Sequence, residues 1–224
     1  MNLQEDGYSI ISIDEKLIIL LNGLLPYTSS WCDYFPKNST KINVDIDLME
    51  KLILAKDKSR EGRTVYKNKS NEIKKTILEL TSKSGIEARD IFLDDIYFRA
   101  TNPNDIKTQS IVHRDCWFHS ITDKWKDLTL DNNLKIWVPL YLTSEYGLGV
   151  IPGSHKEYPH DIEILNQDDQ LLFQPTTKRY ISELTPLKAP IGSAIVFPPT
   201  LIHGGLDLKN NSPRLSVEIT LLVK

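Results

Sequence analysis

The spacing of apolar positions changes along the chain. Before residue 90, apolar side chains recur every three or four positions, which is typical of helices that bury one face. The pattern predicts a first helix over 14–25. A second helix would begin after a cap at Asp45 or Asp47. A third would begin at Ser70 and end near Gly85, which lies where a C-terminal cap belongs. The first 90 residues are therefore expected to be mainly helical.

After Asp90 the chain contains short runs of β-branched and aromatic residues, separated by Gly, Pro, Asn and Asp. No helix of normal length separates the later runs, so a parallel α/β sheet is not expected. Short strands with turn residues between them indicate a β-sandwich or a barrel. We predict one domain over 1–224, with a mainly helical outer layer over 1–90 and a β core over 91–224. The predicted strands cover 94–100, 108–114, 134–143, 193–198 and 214–222.

The composition is that of an ordinary globular protein, with 224 residues, 40% hydrophobic and 25% charged. A net charge of −3 does not indicate nucleic-acid binding, which is usually carried by basic proteins. The longest apolar run, 17–25, is too short to span a membrane and follows acidic residues, unlike a signal peptide. Two cysteines fit a reducing compartment. We expect a cytoplasmic protein that binds no nucleic acid and no membrane, and leave its oligomeric state open.

A His-X-Asp sequence marks the end of the strand predicted over 108–114. Residues two apart on a strand face the same side, so His113 and Asp115 can meet one ion. His203 is the candidate for a third ligand. Two imidazoles and one carboxylate form the facial triad typical of non-haem Fe(II) oxygenases, although a zinc hydrolase could use the same ligands. A protein-kinase catalytic loop is excluded, because the required Asn and Gly-rich loop are missing.

The strand predicted over 214–222 alternates strictly between polar and apolar residues. Arg214, Ser216, Glu218 and Thr220 share one face. A charged residue on a strand that also has an apolar core face needs a partner. Arginine is well suited to bind a carboxylate through two hydrogen bonds, and Ser216 can add a hydroxyl donor. The strand alone leaves open whether Arg214 binds a ligand or faces solvent.

Several stretches together resemble the phytanoyl-CoA dioxygenase-like family of Fe(II)/2-oxoglutarate oxygenases. They occur in the family's order at 111–115, 136–140, 147–156, 192–197 and 203–216. The resemblance implies a mainly β fold with N-terminal helices, built on a double-stranded β-helix (a jelly-roll, cupin-like barrel). It implies that His113, Asp115 and His203 bind Fe(II) and form the catalytic centre. Residues 147–156 would form a turn and loop beside this centre.

The resemblance also implies the co-substrates. Arg214, with help from Ser216, would bind the distal carboxylate of 2-oxoglutarate. Trp137 would either pack near it or serve as a core aromatic residue. O2 would be consumed, 2-oxoglutarate would be decarboxylated to succinate, and an unactivated C–H bond would be hydroxylated. Halogenating members of the family have a small residue in place of the carboxylate, so Asp115 favours hydroxylation.

The substrate is expected to be a small polar metabolite or natural-product intermediate. The candidate substrate-binding residues are Tyr97, Arg99 and Gln109. Tyr97 and Arg99 share one face of the strand over 94–100, which is expected to face the cavity. Gln109 shares a face with His113. Two alternatives remain: a cupin-like metal-dependent isomerase or hydrolase, and a non-catalytic binding barrel. His155 matches a family histidine that is not an iron ligand, whereas His119 and His160 have no matching role.

Overall fold

The structure is a computed structural model. It describes residues 3–22, 63–66, 71–101, 112–119, 128–129, 131–142, 146–157, 163–167, 170–174, 182–206 and 214–223.

Short helices and longer strands make up the described chain. The helices are α1 (Leu3–Asp6), α2 (Glu15–Asn22), α3 (Asn71–Lys83) and α4 (Cys116–His119), with a 3₁₀ helix at Ser154–Lys156. The first strands are β1 (Ser9–Ser12), β2 (Arg63–Tyr66), β3 (Ala88–Thr101), β4 (Asn133–Tyr141), β5 (Tyr146–Val150) and β6 (Glu163–Gln167). The remaining strands are β7 (Gln170–Gln174), β8 (Thr185–Lys188), β9 (Ser193–Phe197), β10 (His203–Gly205) and β11 (Arg214–Val223).

The strands form two sheets and a separate hairpin. The large sheet has the order β1-β9-β4-β11-β3-β2, the small sheet has the order β10-β5-β8, and β6 pairs with β7. All these pairs are antiparallel. β11 therefore lies at the centre of the large sheet although it follows the other strands in sequence. Within the described chain the sheets do not close into a barrel.

Helices α2 and α3 cover the outer face of the large sheet. Leu17 of α2 and Ile77 of α3 belong to one buried apolar cluster that also contains Val138 of β4 and Val217 of β11. These strand residues alternate with the polar ones, so the strict alternation of β11 leaves its apolar face for the helices. The polar face of β11 consequently points to the inside of the molecule.

A second apolar cluster joins the inner face of the large sheet to the small sheet. Trp137, Ile195 and Phe197 of the large sheet pack with Leu148 and Val150 of β5. This packing holds the two sheets together, and the polar inner face of β11 lies on the same side of the large sheet.

Most of the predicted elements are present, with shifted bounds. The helices predicted over 14–25 and from Ser70 correspond to α2 and α3, and Gly85 has the left-handed φ of 76° expected for a C-terminal cap. The strands predicted over 94–100, 134–143, 193–198 and 214–222 correspond to β3, β4, β9 and β11. The helix expected after Asp45 or Asp47 lies outside the described residues, as does most of the strand predicted over 108–114.

Two details add to the predicted organisation. β1 and β2 belong to the large sheet, so the part before residue 90 contributes strands as well as helices. The stretch 147–156, expected as a turn and loop, begins inside β5, because Leu148 and Val150 are buried between the sheets. The single-domain organisation over 1–224 stays a prediction. Among the described residues, no helix has the length and hydropathy needed to cross a membrane.

Candidate metal centre

Two chain segments distant in sequence bring the predicted ligands together. The backbone N–H of His113 donates to the carbonyl of His203, and the N–H of His203 donates to the carbonyl of His113, both at 2.9 Å. His203 begins β10, which pairs with β5 on its other side. The two histidines are thus placed by backbone hydrogen bonds, which fix their positions independently of any bound ion.

The side chains of His113, Asp115 and His203 form a buried cluster. Their ligand atoms all lie within 4.8 Å of one another. Nε2 of His113 is 3.4 Å from Oδ1 of Asp115, and Nε2 of His203 is 3.8 Å from Oδ2. Ligands held about 2.1 Å from one ion lie about 3 Å or more apart, so small adjustments would suit a shared metal. The donor set fits a divalent transition metal such as iron.

Hydrogen bonding selects the ring nitrogen of His203 that can bind a metal. Nδ1 of His203 lies 3.0 Å from the carbonyl oxygen of Leu201. Because a carbonyl only accepts, Nδ1 carries the hydrogen and Nε2 keeps its lone pair towards Asp115. The His203 ring also packs on Phe197, with 4.6 Å between ring centroids. Such contacts to the far side of a ligand orient it for metal binding.

The protonation states also suit a metal site. Burial lowers the pKa of His203 to about 4, although the charge of Asp115 acts to raise it. Burial alone would raise the pKa of Asp115, but Lys135 and the neighbouring histidines hold it well below its ordinary value. At neutral pH the cluster therefore contains a neutral His203 and an ionised Asp115, the forms that bind metals.

Arg114 connects the segments that carry the ligands. It lies between His113 and Asp115 in sequence, is 1% exposed, and donates from Nη1 to the backbone carbonyls of Ser154 and Thr200. The hydroxyl of Ser154 in turn accepts a hydrogen bond from the backbone N–H of Ile202 at 3.0 Å. Local sequence carries no signal for this role, because these two hydrogen bonds of Arg114 join it to residues distant in sequence.

Arg214 and Ser216 lie buried on the inner face of the large sheet. Arg214 donates from Nη1 to the carbonyl of Gly147 in β5. Its pKa is lowered to about 10, first by burial and then by the charge of Arg99. Ser216 is fully buried, and none of the described residues forms a hydrogen bond with its Oγ. A buried hydroxyl of this kind calls for a ligand or water as partner.

Trp137 lies on the same inner face, opposite Glu218 in the pairing of β4 with β11. Its ring packs closely over Gly147, where an added Cβ would come within 2.7 Å of Cη2 of Trp137. Gly147 thus permits both the position of this ring and the approach of its own carbonyl to Arg214. Trp137 and Arg214 therefore both contact Gly147.

Arg99 is also buried on the inner face, at 3% exposure. It lies opposite Ser216 in the pairing of β3 with β11, and its Nε is 3.4 Å from Oε1 of Glu218. Arg99 is therefore beside the predicted carboxylate-binding pair rather than at a solvated strand end.

Lys135 is a buried inner-face residue that belongs to none of the predicted motifs. Its Nζ donates to Oγ1 of Thr220 at 2.8 Å, and its charge helps to lower the pKa of Asp115. It stands two positions before Trp137 on β4. The alternation of that strand was the available signal, because a lysine on the same face as a buried tryptophan is unusual.

The other predicted residues are placed less fully. Tyr97 lies in β3 opposite Glu218, but its side chain is outside the described part, as is that of His119 in α4. Gln109 and His160 lie outside the described residues. Nε2 of His155 is 3.2 Å from the carbonyl of Gln4. His155 thus contacts the N-terminal segment and is not among the three clustered ligands.

A family model named phytanoyl-CoA dioxygenase (PhyH) matches residues 46–216, most of the chain and all three clustered residues. The chain belongs to the phytanoyl-CoA dioxygenase family. A comparison with curated protein sequences gives no match.

Several solved structures can be superposed on nearly the whole of this chain. The non-heme alpha ketoglutarate dependent carbocyclase SnoK from nogalamycin biosynthesis has a TM-score of 0.56 at 15% identity, with 99% of this chain and 81% of that chain covered. HygX from Streptomyces hygroscopicus, with nickel and 2-oxoglutarate bound, has a TM-score of 0.55 at 12% identity, with coverages of 99% and 85%. The epimerase SnoN, in complex with Fe3+, alpha ketoglutarate and nogalamycin RO, has a TM-score of 0.53 at 16% identity, with coverages of 99% and 80%. At these identities the similarity shows the shared double-stranded β-helix fold.

Proposed function

We propose that the chain is an Fe(II)/2-oxoglutarate-dependent dioxygenase that hydroxylates an unactivated C–H bond of a small polar metabolite or natural-product intermediate. The observation that carries the proposal is the buried cluster of His113, Asp115 and His203. Its donor set suits iron, and the family membership of the chain agrees with it.

His113, Asp115 and His203 would hold the iron through two imidazole nitrogens and a carboxylate oxygen. When bound, Fe(II) would activate O2 while 2-oxoglutarate is decarboxylated to succinate. The protein contributes a pre-arranged, buried set of ligands, in which His203 is neutral and Asp115 is ionised at neutral pH. Because Asp115 supplies a carboxylate, the site lacks the open halide position of halogenating members, which favours hydroxylation.

Arg214 and Ser216 would bind the distal carboxylate of 2-oxoglutarate. The buried guanidinium supplies charge-assisted hydrogen bonds, and the buried hydroxyl supplies a further donor. Trp137 would pack against the carbon chain of the co-substrate. These groups orient 2-oxoglutarate towards the metal cluster and exclude water from it.

Tyr97 and Gln109 remain proposed substrate contacts. Tyr97 lies in β3 opposite Glu218, the row of the inner face that also contains Trp137. A polar substrate would be oriented by hydrogen bonds to Tyr97 and Gln109.

The test is an anaerobic titration of the protein with Fe(II) and 2-oxoglutarate. We expect the weak visible charge-transfer band of the Fe(II)/2-oxoglutarate complex, and no such band for His113→Ala. A band that is absent from the wild type, or unchanged in His113→Ala, would contradict the iron assignment.

The reaction type is tested by product analysis. A panel of polar candidate substrates is incubated with the protein, Fe(II), 2-oxoglutarate and O2, and succinate and product mass are measured together. Hydroxylation adds one oxygen atom to the product, whereas epimerisation leaves its mass unchanged and ring closure lowers it by two hydrogens. Turnover without 2-oxoglutarate would instead support a cupin-like isomerase or hydrolase.

A further inference from the structure

We propose that Arg99 is a second guanidinium at the distal carboxylate of 2-oxoglutarate, beside Arg214, rather than a substrate contact. The inference rests on the proposed function, since it assigns a residue to the co-substrate of that reaction. It makes Arg99 a determinant of co-substrate affinity.

The register of the large sheet places Arg99 directly beside the predicted carboxylate site. Arg99 on β3 is the cross-strand partner of Ser216 on β11. Directly opposed residues of an antiparallel pair have Cβ atoms about 4.5–5.5 Å apart on the same face. Arg214 lies two positions before Ser216 on that face. Three hydrogen-bond donors from two strands thus share one patch of the inner surface.

The charges of the two arginines indicate an anion at this patch. Arg99 and Arg214 are both nearly fully buried, and the charge of Arg99 adds to burial in lowering the pKa of Arg214. Two neighbouring guanidinium groups repel each other more strongly inside a protein than in water. A carboxylate that accepts hydrogen bonds from both removes this repulsion.

Ser216 points to a ligand at the same place. Its Oγ is buried, and within the described part of the chain it has no hydrogen-bond partner. A buried hydroxyl without a partner costs free energy unless a ligand or water satisfies it. The distal carboxylate, lying between Arg99 and Arg214, would accept the hydrogen bond from this hydroxyl.

Glu218 orients Arg99 for this role. Its Oε1 lies 3.4 Å from Nε of Arg99, so one edge of the planar guanidinium is directed to Glu218. Glu218 follows Ser216 by two positions on the inner face, and its charge also acts on His203. Pairing with Arg99 neutralises a carboxylate that would otherwise repel the dianionic co-substrate.

The experiment is an anaerobic titration of the Fe(II)-loaded protein with 2-oxoglutarate, without any primary substrate, followed by the charge-transfer band. We expect Arg99→Gln to raise the Kd of 2-oxoglutarate by about tenfold to a hundredfold. The matched control is Arg89→Gln, the same substitution at an exposed position of the same strand, and its Kd should equal that of the wild type. If Arg99 only bound the primary substrate, the Kd of 2-oxoglutarate would not change in Arg99→Gln, because no primary substrate is present. An unchanged Kd would therefore overturn the proposal.

A change in the ligand provides a second readout. In 2-oxopentanoate a methyl group replaces the distal carboxylate of 2-oxoglutarate. We expect wild type and Arg99→Gln to bind 2-oxopentanoate with the same Kd, since the group that Arg99 contacts is missing. A loss of equal size for both ligands would show a general structural effect and overturn the assignment.

Two further variants separate the remaining causes. The double variant Arg99→Gln/Glu218→Gln removes the carboxylate that Arg99→Gln leaves unneutralised. If this double variant binds 2-oxoglutarate as tightly as the wild type, Arg99 acts only by neutralising Glu218 and direct contact is wrong. If Arg99→Gln does not fold, Arg99→Lys carries the test, because an ammonium cannot replace a planar guanidinium and the Kd should still rise.

The outcomes distinguish this proposal from the proposed function. A wild type that forms no band overturns both. A wild-type band with an unchanged Kd for folded Arg99→Gln overturns only the role of Arg99.

Discussion

The guanidinium of Arg114 donates a hydrogen bond to the backbone carbonyl of Ser154 at 2.7 Å, across a sequence separation of 40 residues. The same nitrogen also donates to the carbonyl of Thr200, three positions before His203. Arg114 therefore ties the segment that carries His113 and Asp115 to the segment that carries His203. A side chain that is not itself a ligand sets the spacing of the ligands.

Replacing this side chain should weaken metal binding. Arg114→Met keeps much of the buried volume but leaves two carbonyls without their donor, at about 1–3 kcal/mol each. We expect the metal-free protein to lose stability in urea unfolding. We also expect its Kd for Co(II) to rise about tenfold to a hundredfold, as when an outer-shell contact of a metal site is removed.

Leu21→Ala is the control for this variant. Leu21 is fully buried in the apolar cluster between the helices and the large sheet, which contains none of the three ligands, and its truncation costs about 2–5 kcal/mol. Its Kd for Co(II) should equal that of the wild type. Equal weakening of metal binding in both variants would show that Arg114 acts through global stability alone.

The stability of the metal-free protein should depend on pH through His203. Its pKa is lowered from its ordinary 6.5 to about 4, mainly by burial. Between these values the unfolded chain takes up a proton that the folded ring does not. The free energy of unfolding therefore decreases as the pH falls below about 7, with a loss of about 1.4 kcal/mol at pH 5.5 and about 3 kcal/mol at pH 4.

Urea unfolding of wild type and His203→Gln at pH 7 and pH 5.5 measures this effect. The difference between the two proteins isolates His203, since all other titrating groups are common to both. We expect the wild type to lose more stability than the variant. An identical loss in the two proteins would rule out His203 as the source.

Adding a methyl group at Gly147 should disturb the proposed 2-oxoglutarate site at Arg214 and Trp137. The new Cβ would lie 2.7 Å from Cη2 of Trp137, too close unless the ring moves. Overpacking of this kind costs about 1–3 kcal/mol. Because the Gly147 carbonyl also accepts from Arg214, we expect Gly147→Ala to raise the Kd of 2-oxoglutarate about tenfold, the equivalent of about 1.4 kcal/mol.

Gly149→Ala is the matched control on the same strand. Its Cβ would meet Leu206 at 2.7 Å and Leu184 at 3.1 Å, away from Trp137. It should destabilise the protein to a similar degree but leave the Kd of 2-oxoglutarate unchanged. Near-ultraviolet circular dichroism should change more in Gly147→Ala, where the indole ring is displaced.

Cys116 should resist alkylation although it directly follows a proposed metal ligand. It is 4% exposed, and burial raises the pKa of its thiol from 9.0 to about 12. The reactive thiolate is then about a thousandfold scarcer at pH 8 than for an ordinary cysteine. Iodoacetamide labelling followed by mass spectrometry should modify Cys116 rapidly in urea and hardly at all in the folded protein. Fast labelling under native conditions would contradict the burial of this thiol.

The strands that carry the site could be predicted where they are regular. β4, β9 and β11 alternate or form apolar runs bounded by turn residues, so their positions follow from local sequence. The pairing of Arg214 and Ser216 on one face of β11 was predicted from the same alternation. The His-X-Asp pattern likewise identified two candidate ligands, because their two-residue spacing has a direct geometric consequence.

Other features depend on contacts that local sequence does not show. β10 has only three residues, His203–Gly205, and β5 contains two glycines, so neither has a strand pattern. β1 and β2 belong to the sheet only through their partners β9 and β3. Arg99 on β3 lies opposite Ser216 because of the register between β3 and β11. The spacing of residues within either strand does not determine this register.

The central position of β11 has a consequence for biosynthesis. β3 and β4 both pair with this strand, yet it is synthesised after them. Until it emerges from the ribosome, the facing edges of β3 and β4 have no partner in the large sheet, and open edges favour association with other chains. The pairing is also long-range, which slows folding. Substitutions that weaken β11 should therefore reduce the yield of folded protein in the cell before they alter the chemistry of the molecules that do fold.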